Sequence, residues 1–105
     1  MKNSKESGIQ AIRDYITQHD GPYLSWSAWY IGITSDPKKR LFEGHRVDEE
    51  NGIWIYKTTE SSSTARQIED YFVNELGADG GTGGGDYNTR AVYAYKKTRN
   101  TVETA

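Results

Sequence analysis

The chain has no cysteine, two prolines, no long apolar run and no excess of positive charge. Without cysteine it can form neither disulfides nor thiolate metal sites. A membrane-spanning helix needs roughly 20 consecutive apolar residues, and no stretch comes near that length. The opening segment, MKNSKESG, has no apolar run of the kind a secretory leader carries. The expected location is cytoplasmic, with no membrane partner. A net charge of −2 excludes steering toward nucleic acid by overall charge. The 105 residues leave room for one small domain.

Aromatic residues are plentiful instead: three tryptophans, eight tyrosines and two phenylalanines. Each buried ring removes a large area from water, so a polar chain can still build a core. Charge is unevenly spread. Residues 38–46 carry four Lys or Arg against one acid, and residues 90–99 carry four with no acid. The intervening residues 47–86 carry nine acids against Lys57 and Arg66. If the two basic segments meet, one face becomes positive; otherwise they are ordinary solvated surface.

Hydrophobic spacing gives the order of elements. Ile9, Ile12 and Ile16 recur at helical intervals up to the breaker Gly21-Pro22, which predicts an N-terminal helix within residues 1–20. Residues 23–34 read as a β-hairpin. In its second arm Trp29, Ile31 and Ile33 face one side, Tyr30 and Gly32 the other. Asp36-Pro37 predicts a short helix from about residue 37 to 43, stopped by Gly44. Residues 52–58 (GIWIYKT) form the next strand. A serine run at 61–63 caps a helix with the apolar stripe Ala65, Ile68, Phe72 and Leu76, ended by Gly77. A glycine-rich loop leads to a strand over 91–95, and a charged, frayed tail is expected over 96–105. The reading is an α+β domain over residues 21–95: a small, mainly antiparallel three-stranded sheet flanked by helices, with the extra helix in front.

Several residues stand out chemically. Gly32 interrupts a strand beside Tyr30, which marks either a packing glycine or a bare patch of backbone where a phosphate can sit. Glu69 lies among Ala65, Ile68, Phe72 and Val73. A carboxylate near that stripe needs a metal or a cation, unless it reaches solvent at the stripe's edge. Asp70, one position on, is expected to face solvent. Arg40 offers a planar fork of donors suited to phosphate, and His45 lies on the far side of the same short helix. The glycine run 80–85 lacks the Lys-Ser/Thr ending of a phosphate loop, and Asn88 after it is placed to contact the sheet.

As an ordered set these residues resemble the GIY-YIG nuclease superfamily. Tyr30-Ile31-Gly32 is similar to its second tripeptide. Asp36-Pro37-Lys38-Lys39-Arg40-Leu41 resembles the segment bearing the catalytic arginine. His45 follows with one residue more in the gap than the family pattern has. Glu69 in ARQIEDYFVNELG resembles the metal-binding glutamate, and Asp86-Tyr87-Asn88 the closing Gly-Tyr-Asn element. Gly21-Pro22-Tyr23 stands where the first tripeptide belongs. The resemblance implies a hydrolytic endonuclease acting on nucleic acid, DNA in the first instance. Glu69 holds one Mg²⁺ or Mn²⁺, and Arg40 stabilises the phosphate. Tyr30 or Tyr23 activates water, with His45 assisting or replacing it, and Asn88 belongs to the catalytic set. Gly32, Lys38, Lys39 and Arg46 would contact the substrate, while a protein partner or a second copy would supply specificity. The alternative is a catalytically weak or inactive module of the same fold that binds nucleic acid or protein.

Overall fold

The computed structural model describes residues 2–81 and 88–104. Helix α1 runs over Lys5–Asp20, its N-cap Ser4 accepting from the Ser7 amide. Strand β1 is Trp29–Thr34, β2 is Trp54–Thr58 and β3 is Ala91–Lys96. Between β1 and β2 lies a short helix that widens to π geometry over Lys39–Gly44. Helix α2, Ser62–Asp70, is capped by Ser61, which accepts from the Thr64 amide, and continues as a wide turn over Tyr71–Glu75. Among the described residues no helix is long and apolar enough to cross a membrane.

The three strands form one sheet in the order β1-β3-β2, with both neighbours antiparallel to β3. The α+β class and the antiparallel three-stranded sheet thus match the pattern of the sequence. The hairpin does not form. Residues Gly21–Tyr23 and Trp26–Ala28 make two 3₁₀ turns, and β1 takes β3 rather than an upstream arm as its neighbour. The local reason lies at Gly21-Pro22. Gly21 adopts φ 55°, and Pro22 has no amide hydrogen for a ladder, so the chain turns where a strand would have started.

The sheet has two different faces. Trp29, Ile31, Ile33, Val92 and Ala94 pack with Ile12 and Ile16 of α1 and with Ala65, Ile68 and Phe72 of α2. The opposite face is a grid of aromatics, Tyr30–Tyr95–Trp54 in one row and Gly32–Tyr93–Tyr56 in the next. Leu41 and Val47 cover it. β1 is an edge strand, and its outer side is closed by the segment after α2: the Asp79 carbonyl accepts from the Ile31 amide (2.8 Å), and the Asp79 amide donates to the Trp29 carbonyl (2.9 Å). This approach requires Gly80, since a β-carbon there would stand 2.6 Å from the Ile31 carbonyl oxygen.

The end of the chain is docked, contrary to the expectation of fraying. The Val102 amide donates to the His45 carbonyl (2.8 Å) and the Lys97 amide to that of Ala28 (2.9 Å). Asp20 accepts from Lys96 Nζ (2.7 Å) and from Trp29 Nε1 (2.9 Å). Burial alone would raise its carboxyl, but these two bonds hold it below the ordinary value.

Candidate active site

The π-helical segment delivers Arg40. Asp36 starts it by accepting the Lys39 amide on Oδ1 (3.2 Å) and the Arg40 amide on its carbonyl (3.0 Å). The Arg40 carbonyl then accepts from the His45 amide at 2.8 Å, a bond spanning five residues where an α-helix spans four. The wide turn thus sets the spacing between the arginine and the histidine. It leaves the Arg40 side chain exposed while His45 is fully buried. Arg40 lines a surface hollow of about 550 Å³ together with Thr34, Ser35, Lys39 and the two acids Asp36 and Glu43.

Tyr30 comes from β1 and is buried. Burial raises its phenol above the usual value, opposed by the approach of the Gly81 amide and by the charge of Arg40, and reinforced by Asp79 and Glu69. The π segment that follows β1 and the more distant α2 therefore bring the charges of Arg40 and Glu69 within electrostatic reach of the Tyr30 hydroxyl. Glu69 is 8% exposed, whereas Asp70 faces solvent, where it accepts from Asn74.

The sequence did not single out Tyr93, yet it lies at the centre of this arrangement. Its ring lies over Gly32, directly across the ladder, so the backbone there is covered rather than bare: a β-carbon on Gly32 would stand 2.4 Å from the Tyr93 hydroxyl oxygen. The glycine is therefore a close-packing position, and the floor for a phosphate expected there is occupied by an aromatic ring. Burial pushes the Tyr93 phenol up to about 12; the Arg40 guanidinium beside the hydroxyl opposes this, while Tyr30 and Glu69 add to it. A glycine inside a strand implies a large neighbour across the ladder, which is the one signal that could have pointed to Tyr93.

His45 is held at both ring nitrogens. Nδ1 lies 2.7 Å from the Val102 carbonyl oxygen, which can only accept, so Nδ1 carries the hydrogen. Nε2 then accepts from the Tyr93 hydroxyl at 2.6 Å. The Tyr95 hydroxyl donates to Glu103 (3.0 Å) and turns its oxygen toward the Nδ1 hydrogen at 3.1 Å. Burial lowers the His45 pKa, partly offset by the Val102 carbonyl; Arg40 lowers it further and Glu103 raises it. The ring is thus neutral, enclosed and fully bonded, and in this arrangement it does not meet an attacking water directly.

The remaining predicted residues are dispersed. Tyr23 is 90% exposed in the first 3₁₀ turn, away from the Tyr30 ring cluster. Lys38 and Lys39 are exposed beside Arg40, and Arg46 is exposed with φ 59°, a left-handed backbone forced where the chain leaves the π segment. Lys97 pairs with Asp79 (3.1 Å) and Lys96 with Asp20, so these two basic side chains are neutralised locally. Asn88 is exposed just before β3, while Asp86, Tyr87 and the loop glycines 83–85 lie outside the described residues. Among the described residues no group of three or more His, Asp or Glu side chains gathers as a metal cage. A hard divalent ion also binds through a single carboxylate, with waters and phosphate oxygens completing its shell, and the nearly enclosed Glu69 carboxylate is a donor of that chemistry.

No family model, curated protein or solved structure matches this chain.

Proposed function

We propose that the chain is a metal-dependent endonuclease of the GIY-YIG type that hydrolyses phosphodiester bonds in DNA. The observation that carries this reading is that the charges of Arg40, from the π-helical segment, and of Glu69, from α2, both act on the buried Tyr30 phenol of β1. Arg40, exposed at the rim of its hollow, binds the scissile phosphate and stabilises its developing charge. Glu69 would hold Mg²⁺ or Mn²⁺, which when bound supplies charge neutralisation at the phosphate and the leaving oxygen. The Tyr30 phenol is raised, so it stays protonated at neutral pH and orients the attacking water by hydrogen bonding rather than removing its proton. Lys38 and Lys39 extend the phosphate-contacting rim. Sequence selection would come from loops, a second copy or a protein partner.

A second reading is favoured by one observation. Both the Tyr93 and Tyr30 phenols are raised by burial and His45 is enclosed, while the hollow that Arg40 lines holds the carboxylates of Asp36 and Glu43, which repel a phosphate. That is the pattern of a catalytically weak or inactive module that binds nucleic acid or protein. Nicking of supercoiled plasmid with and without Mg²⁺ or Mn²⁺ tests the two. Metal-dependent nicking abolished by Arg40→Ala supports the enzyme. Salt-dependent DNA binding with no nicking supports the binding module, because phosphate contacts release counterions.

A further inference from the structure

We propose that residues 98–103 form an autoinhibitory latch over His45, closed in this structure, whose release gives the imidazole to solvent. That release raises activity rests on the nuclease reading; the closure itself does not. Sheet pairing ends at Lys97, whose amide donates to the Ala28 carbonyl (2.9 Å). Beyond it the chain turns back on itself. The Thr98 amide donates to Thr101 Oγ1 (3.0 Å) and the Thr101 amide to the Thr98 carbonyl (3.2 Å). This turn lays Val102 on His45, which it holds at two points. The Val102 amide donates to the His45 carbonyl (2.8 Å), and the Val102 carbonyl accepts from Nδ1 (2.7 Å). One residue on, the Glu103 carboxylate accepts from the Tyr95 hydroxyl (3.0 Å) and from Thr101 Oγ1 (2.7 Å).

The segment closes a buried site without being buried itself. His45 and Tyr95 are fully enclosed, yet none of residues 98–104 is buried. Val102, their one large apolar residue, is 36% exposed. The hold is therefore a few hydrogen bonds, set against the entropy of ordering the backbone, with little apolar burial to add. Segments with few buried apolar contacts open locally, at less cost than unfolding the whole domain.

The imidazole keeps its place when the segment lifts. Its Nε2 accepts from the Tyr93 hydroxyl (2.6 Å), and the His45 amide donates to the Arg40 carbonyl (2.8 Å). The rings of Tyr30, Tyr93 and Tyr95 surround it, with centroids 4.7 to 5.4 Å away. None of these partners belongs to residues 98–103. Release thus uncovers the Nδ1 edge of an ordered ring, and Tyr30, the phenol assigned to the attacking water, is the nearest of the three tyrosines. While the latch is closed, the Val102 carbonyl forces the hydrogen onto Nδ1. Once it opens, the hydrogen can move to Nε2 by exchange with water. Nδ1 then offers a lone pair that takes the proton of the attacking water.

The two histidines of the chain make the test internal, because His19 is exposed on α1 while His45 is enclosed. Reaction of both with diethyl pyrocarbonate is followed by mass spectrometry in one sample, alongside nicking of plasmid with Mg²⁺. In the wild type His45 should react about ten-fold more slowly than His19, or slower still. Val102→Pro removes the amide donor, and Glu103→Ala removes the carboxylate acceptor. Each lost bond weakens closure by about two- to ten-fold. The double variant should therefore modify His45 about ten-fold faster than the wild type, with His19 unchanged, and should nick faster by the same factor. His45 that reacts as fast as His19 in the wild type overturns the latch, and so does an unchanged His45 rate in the folded variant. An uncovered His45 with no gain in nicking overturns the autoinhibitory role. Should the variant fail to fold, hydrogen exchange in the wild type decides. The Val102 amide should exchange about ten-fold or more faster than the amides of β3. Equal protection would mean that the tail opens only with the whole domain, and it overturns the proposal. If neither protein nicks DNA, the nuclease reading fails, and the His45 modification rates alone decide the latch.

Discussion

Tyr93 and Gly32 face each other across the β1–β3 ladder, and the tyrosine ring occupies the volume a side chain on residue 32 would need. Three side-chain atoms of Tyr93 lie 2.4 to 2.8 Å from where a β-carbon would stand. The ring is pinned on its other side by His45 and cannot simply rotate away. Gly32→Ala should therefore cost about 1–3 kcal/mol by overpacking. Urea unfolding followed by tryptophan fluorescence measures this; a midpoint equal to that of the wild type would show that the ring yields.

Acid stability should report on His45. Its pKa in the folded state is lowered, chiefly by burial, so the unfolded chain takes up a proton first as the pH falls. The unfolded state then binds more protons, and stability rises with pH. The contribution is complete above about 6.5, the ordinary histidine value, and is lost as the pH drops through the lower folded value. Lowered carboxyls such as Asp20 and Asp48 act only nearer pH 4 and below. Melting temperature measured between pH 7 and 5 should decline in the wild type and be flatter in His45→Gln.

The docked tail should matter to the fold although it is short and polar. Removing residues 101–105 takes away the Val102 carbonyl that receives Nδ1–H and the Val102 amide that serves the His45 carbonyl. It also takes away the Glu103 carboxylate on Tyr95. Leaving buried polar groups unmatched costs about 1–3 kcal/mol each, so the truncated chain should be less stable by at least about 1 kcal/mol. Equal denaturant midpoints for the full and shortened chains would mean that water replaces the tail without loss.

How much of this could be read from the residues depends on the range of the interaction that decides each feature. The Trp29–Ile33 alternation, the Ser61 cap and the Ala65–Ile68–Phe72 stripe are local patterns, and each appears where its period or cap places it. Arg40 and Glu69 stood out by their chemistry and by the resemblance, but no local rule says that a π segment and a distant helix bring their charges to bear on one strand residue, Tyr30. Gly21-Pro22-Tyr23 misled: a tyrosine after a breaker reads as a strand start, but the strand beside β1 comes from the far end of the chain. Tyr93 and the tail were missed for the same reason. Their roles appear only once β3 lies between β1 and β2 and residue 102 has come to rest on residue 45, 57 positions away.

Glu69 and Asp70 are neighbours in sequence with opposite environments, and this makes them a matched pair for testing the metal assignment. Glu69 is nearly enclosed, and its charge is felt at Tyr30 and Tyr93, while Asp70 is exposed. Glu69→Gln preserves size and hydrogen-bonding capacity but removes the charge that would hold Mg²⁺. Metal-dependent nicking should fall at least a hundred-fold, which corresponds to about 2.7 kcal/mol of lost transition-state stabilisation. Stability should change by less than about 1 kcal/mol, because removing a buried charge offsets part of whatever bonding is lost. Asp70→Asn, at an exposed position, should leave nicking unchanged and stability within about 0.5 kcal/mol. Melting temperature and nicking rate on the two variants separate the roles. If Glu69→Gln melts several degrees lower yet cuts as fast as the wild type, Glu69 holds the fold together rather than a metal ion. A hundred-fold loss of nicking in Asp70→Asn as well would mean that the helix surface, not the Glu69 carboxylate, is what the assay reads.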